Sequence, residues 1–149
     1  MSVERVFAET FELGPTNGRD TLAGARKELF KLGLYNPTNH GVCRATPRTL
    51  FAVHGLTKDG TYQEIFESLH GADLKRFWWT EGQVVAICRI YRRLFGRRNI
   101  FLCEGKDCKP FVTYISLEES DGMRAYDDPF DLLCVHGANK GFRIFVPQL

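Results

Sequence analysis

The chain predicts an α+β fold: a single compact domain over residues 1–149, with about four helices in the first two-thirds packed on a C-terminal antiparallel β-meander of roughly four strands. Three observations lead there. The first two-thirds place apolar residues at helical spacing behind capping signatures. The last third holds short apolar runs bounded by Gly, Pro, Asp or Asn. The length of 149 residues, 44% of them hydrophobic and twelve of them Phe, suffices for one packed core.

Residues 3–13 read as a short helix: Val3, Val6, Phe7 and Phe11 follow its period, Ser2 caps it and Gly14-Pro15 stops it. A strand with Phe7, Phe11 and Leu13 on one face is the competing reading. Residues 22–32 read as a second helix, with Leu22, Ala25, Leu29 and Leu32 on one face and Gly33 as a left-handed C-cap. The stretch "HGVCRATPRTLFAVHGL" is extended, and Thr49 to Val53 suits a buried strand. Thr61 and Glu64 form a capping box for a third helix over 62–70. Thr80 and Gln83 form another for a fourth helix over 81–95, whose stripe runs through Val84, Ile87, Cys88, Tyr91, Leu94 and Phe95. Strands follow at 99–103, 110–117, 130–136 and 142–146. "LFAVHGLTK" and "LLCVHGANK" echo one another, which reads as two strands ending in Gly turns.

The net charge of +2 points to no partner class by itself. No apolar run approaches the ~20 residues of a membrane helix. The opening "MSVERVFAETFELG" lacks a signal-peptide core, and five cysteines is an odd number. The expectation is a soluble, cytoplasmic protein with free thiols and no membrane contact. Phosphate-loop, dinucleotide and hydrolase motifs are missing, so no cofactor is expected.

Four groups of residues carry candidate chemistry. "CEGKDC" places Cys103 and Cys108 at a turn whose polar tip includes Gly105, able to take positive φ. With Cys134 and His136 they make an alternative zinc set, although C-x-H is not a usual half-site. Cys43 with His40, or Cys134 with His136, is the thiol-enzyme alternative. Glu118, Glu119, Asp121, Asp127, Asp128 and Asp131 form an acidic stretch without the spacing of a calcium loop.

The fourth group is the arginine-rich helix. Arg89, Arg92 and Arg93 lie away from its apolar stripe, and Arg97 and Arg98 extend the patch past the C-cap. Guanidinium forks suit phosphate, and Trp78, Trp79, Lys75 and Arg76 lie just upstream. The expectation is therefore a non-catalytic binding module that engages an anionic partner, nucleic acid or an acidic protein, through Arg89, Arg92, Arg93, Arg97 and Arg98. The alternatives are a small Cys/His zinc protein or thiol enzyme, and an interaction domain that self-associates through a sheet edge. The sequence carries no sign of oligomeric state.

Overall fold

The computed structural model describes residues 3–35, 43–70, 75–118 and 122–148. The architecture overturns the expected one. Among the described residues eight strands form one mixed sheet, joined by three helices, two of them longer than a single turn. The strands are β1 (Val3–Arg5), β2 (Phe11–Leu13), β3 (Gly33–Tyr35), β4 (Thr49–Leu56), β5 (Arg98–Cys103), β6 (Phe111–Leu117), β7 (Met123–Pro129) and β8 (Phe142–Gln148). The helices are α1 (Arg26–Leu29), α2 (Tyr62–His70) and α3 (Glu81–Ile90). The order across the sheet is β1-β4-β8-β5-β6-β7-β3, with β2 joining β1 along the outer edge of β4. Neighbours are antiparallel except β5 with β8 and β3 with β7.

Each correction has a physical cause. The segment 3–13 is not a helix, because Phe11 and Leu13 alternate with exposed Glu12 and pair with Phe51 and Thr49. Its apolar spacing fits both periods, and the open edge of β4 decides between them. Of 22–32 only Arg26–Leu29 is helical, and the chain then extends into β3. The fourth helix stops at Ile90, and a separate turn at Arg92–Leu94 drops Leu94 and Phe95 into the core. The segment 130–136 is not a strand either. Met123–Pro129 takes the place beside β6, where Met123, Ala125 and Asp127 alternate inward. Nor is the last third a meander, since β8 crosses over to lie parallel to β5.

Alternation divides the sheet into two faces. On one, Phe51, Val53, Phe101, Cys103, Ile115 and Phe145 share a core with Leu22 and Phe30 and with Val84, Ile87 and Cys88 of α3. On the other, Ile100, Leu102, Val112, Ile144 and Val146 share one with Tyr62, Ile65 and Phe66 of α2 and with Phe130 and Leu132. Both capping boxes form as expected. Thr80 and Gln83 exchange side-chain and backbone bonds, as do Thr61 and Glu64. No described helix is long and apolar enough to cross a membrane.

Trp79 ties the helical layer to the sheet. Its amide donates to the Leu102 carbonyl and its own carbonyl accepts from Glu104, both at 2.8 Å. Its indole Nε1 donates to the Phe145 carbonyl at 2.8 Å, from a ring with no exposed surface. Trp79→Phe removes that donor and leaves a buried carbonyl short of a partner. We expect it to lower the unfolding free energy by about 2–4 kcal/mol in urea titrations.

Candidate functional site

The five arginines singled out above fall into different settings. Arg89 is ion-paired: Nε and Nη2 bond the Glu28 carboxylate at 2.9 and 2.6 Å, and Nη1 bonds Asp20 at 3.0 Å. Arg93 lies over the Tyr91 ring, 5.1 Å from its centroid. Arg92 and Arg93 belong to the turn after α3 and not to the helix. Arg97 is exposed and forms no ion pair among the described residues, whereas Arg98 begins β5 and faces the sheet surface opposite to α3.

That surface contains a cleft of about 390 Å³, within the usual range for ligand sites. It forms where the cover given by α2 runs out, over β5, β6 and β7. Two rows of side chains cross it in register. Tyr114 pairs with Tyr126, and Tyr126 with Tyr35 of β3. The Tyr35 and Tyr126 rings stack at 4.9 Å and 14°, and Tyr114 meets Tyr126 edge-on at 5.5 Å. In the adjacent row Arg98 pairs with Ser116, and Ser116 with Arg124. Arg97, Leu117 and Glu118 complete the rim.

The local contacts explain how these groups are held. Arg98 donates to the Lys140 carbonyl at 2.7 Å and lies 5.9 Å from the Phe142 ring centroid. Arg124 donates to the Leu32 carbonyl and stands 3.9 Å from Glu118. Tyr126 beside it is the main cause holding the Arg124 guanidinium above its ordinary range. Burial raises the Tyr114 phenol, and Arg98 opposes that. At the far wall, the Asp128 carboxylate accepts the Tyr62 hydroxyl at 2.7 Å. Tyr62 is wholly buried, so its phenol is pushed up first by burial and then by the Asp128 charge. The His136 ring stacks on Tyr62 at 4.2 Å, and its Nε2 is buried with no partner among the described residues. Burial lowers the His136 pKa, opposed by Asp128.

The other expected groups are scattered. All five cysteines are free thiols. Cys103 is buried on the α3 face, Cys108 and Cys134 are exposed, and His136 lies against the other face. No three His, Cys, Asp or Glu side chains among the described residues are placed to hold a metal. At the "CEGKDC" turn the left-handed residue is Cys108, with φ 58°, and not Gly105. Trp79 is core and Trp78 is half-buried, lining a separate groove whose Arg44 and Arg48 are paired with Glu104 and Glu12. His40, Glu119, Asp121 and the Arg76 side chain lie outside the described residues. His54 sits within β4 and His136 in a loop bridged to Gly60, so the two echoing segments are not equivalent.

Sequence reasoning missed Tyr35, Tyr62, Tyr114, Tyr126 and Arg124. Tyr114/Ser116 and Arg124/Tyr126 do alternate with the apolar Ile115 and Ala125, and that period-two pattern was the available signal. Comparison with protein-family models, with curated proteins and with solved structures gives no match in any of the three.

Asp127, next to the cleft residue Asp128, points to the opposite, buried face. There its Oδ1 accepts from the Thr113 hydroxyl at 3.2 Å, and Thr113 lies 3.4 Å from the Cys103 sulfur. Burial, reinforced by Glu81, pushes the Asp127 pKa to about 7. The folded chain thus keeps a proton that the unfolded chain releases near its ordinary value of 3.8. Its contribution to stability is complete below that value and lost as pH rises toward 7, by about 4 kcal/mol in all. Asp127→Asn keeps the acceptor oxygen and removes the titration. Chemical denaturation from pH 4 to pH 8 is therefore expected to find the variant less pH-dependent than the native chain, and the more stable of the two at pH 8.

Proposed function

We propose that this chain is a non-catalytic binding module for an anionic partner, a single-stranded nucleic acid, engaged through the open part of the sheet. The juxtaposition of the tyrosine row with the arginine row supports this reading. Aromatic faces on an open sheet accept unstacked bases, each stacked base contributing about 1–3 kcal/mol. Guanidinium groups one row away suit the phosphates that follow those bases. Two residues along a strand separate the rows by about 7 Å. Two guanidinium groups, Arg97 and Arg98, line the cleft with two carboxylates, Glu118 and Asp128, and Glu118 has Arg124 beside it. An acidic protein would use the arginines and leave the tyrosines without a role, so the aromatic row favours nucleic acid.

Arg97 and Arg98 carry over from the helical patch. Arg89 is left out, because Glu28 and Asp20 already occupy its donors.

The test is fluorescence anisotropy with a ten-nucleotide oligouridine, with poly-glutamate as competitor. Two arginine contacts, from Arg97 and Arg98, give a slope of about −1.4 in log affinity against log salt. Tyr126→Ala weakens binding about tenfold or more through lost stacking. Arg97→Glu with Arg98→Glu reduces it further, while Arg89→Ala leaves it unchanged. Competition by poly-glutamate at matched charge, with no effect of Tyr126→Ala, would assign the face to an acidic protein instead.

A further inference from the structure

We infer that the cleft selects guanine, with the Asp128 carboxylate, held by the buried Tyr62 hydroxyl, accepting from the base edge while Arg97 and Arg98 take the phosphate. This rests on the nucleic-acid reading above and adds to it the base that is read.

The argument starts from the mixed charge of the lining. A surface built only for polyanions has no use for a carboxylate in its wall, yet Asp128 lines this cleft. Nor is it turned aside to a cation, since no ion pair to Asp128 exists among the described residues. Among the described residues its carboxylate has one hydrogen bond, from the Tyr62 hydroxyl to Oδ2. A carboxylate has about four lone-pair sites, so one phenol leaves most of its capacity free. Tyr62 is wholly buried and stacked on His136, so the bond fixes where that capacity lies.

An ionised carboxylate only accepts. Its partner must present donors, and two adjacent donors exploit both oxygens. Guanine offers this on its Watson–Crick edge, through the ring N1–H and the exocyclic N2 amino group. Adenine and cytosine offer a single amino group beside a ring acceptor. Uracil offers one N–H between two carbonyls, which the carboxylate repels. Asp128 lies two residues beyond Tyr126 on the same face of β7, and Tyr114 pairs with Tyr126. A base lying on the tyrosines therefore turns its edge toward Asp128. Arg97 and Arg98 stand at the opposite end of the cleft, because Arg98 pairs with Ser116 while Asp128 pairs with Val112. The phosphate and the base edge thus meet charges of the sign each requires.

Anisotropy of the full native chain with ten-nucleotide oligouridines carrying one central guanine, adenine, cytosine or inosine tests this. Central guanine tightens binding by about tenfold over uridine, the discrimination expected of a bidentate contact. Inosine, which lacks the N2 amino group, loses most of that gain. Asp128→Asn erases the guanine preference and tightens the all-uridine oligomer by removing a negative charge. Tyr62→Phe, its folding checked by thermal unfolding, reduces the preference several-fold. Equal affinity for all central bases overturns the guanine assignment and leaves the binding face standing. A guanine preference that survives in Asp128→Asn overturns the role of Asp128. Absence of binding to every oligomer overturns both this inference and the reading beneath it. The base series uses the native chain alone, so it decides even if a variant does not fold.

Discussion

The parallel pairing of β5 with β8 is the constraint on which the rest of the molecule depends. Parallel strands need cover on both faces. Here Ile100 to Cys103 and Ile144 to Val146 are almost completely buried. The buried polar residue in this region, Asn99, is satisfied by donating to the Gly96 and Ile115 carbonyls and accepting from the Gly96 amide. Two layers are therefore required. The helix α3 supplies one, fixed at its start by Trp79 on the end of β5. The other comes from α2 and the irregular chain from Phe130 to Ala138.

The second layer is narrower than the sheet, and the open surface lies where it ends. Tyr114 stands at this boundary packed against the core, Tyr126 is half-buried beside it, and Tyr35 at the end of the row is exposed. Gly33 secures the outermost of them. Its φ of 142° suits glycine, and a Cβ there would come within 2.9 Å of the Tyr35 ring. The edge strand and the aromatic row thus share one steric condition. Both sheet edges formed by described residues are three-residue segments, which limits their use as pairing templates.

Charge follows the same division. Near α3, arginine meets carboxylate and is locally neutralised, as Arg89 is by Glu28 and Asp20. Pairs this exposed add little stability, but they do occupy the donors. Past the turn at Arg92–Leu94 the chain passes through Arg97 into β5, which begins at Arg98, and neither arginine has a carboxylate partner among the described residues. Identical side chains a few residues apart therefore differ in what they offer a ligand, and the turn between them makes the difference.

Local signals in the sequence determined the helix starts at Tyr62 and Glu81, both capping boxes, the β5 and β6 strands and the turn between them. Caps and short apolar runs depend on atoms only a few residues apart, so the chain states them by itself. Tertiary structure alone decided that residues 3–13 extend, that 123–129 displaces 130–136 as a strand, and that β8 crosses over to lie beside β5. Each depends on which sheet edge is open, a property of distant partners. The aromatic row was hidden for the same reason. Tyr35, Tyr114 and Tyr126 are far apart in the chain, and only the registers of β3, β6 and β7 bring them side by side.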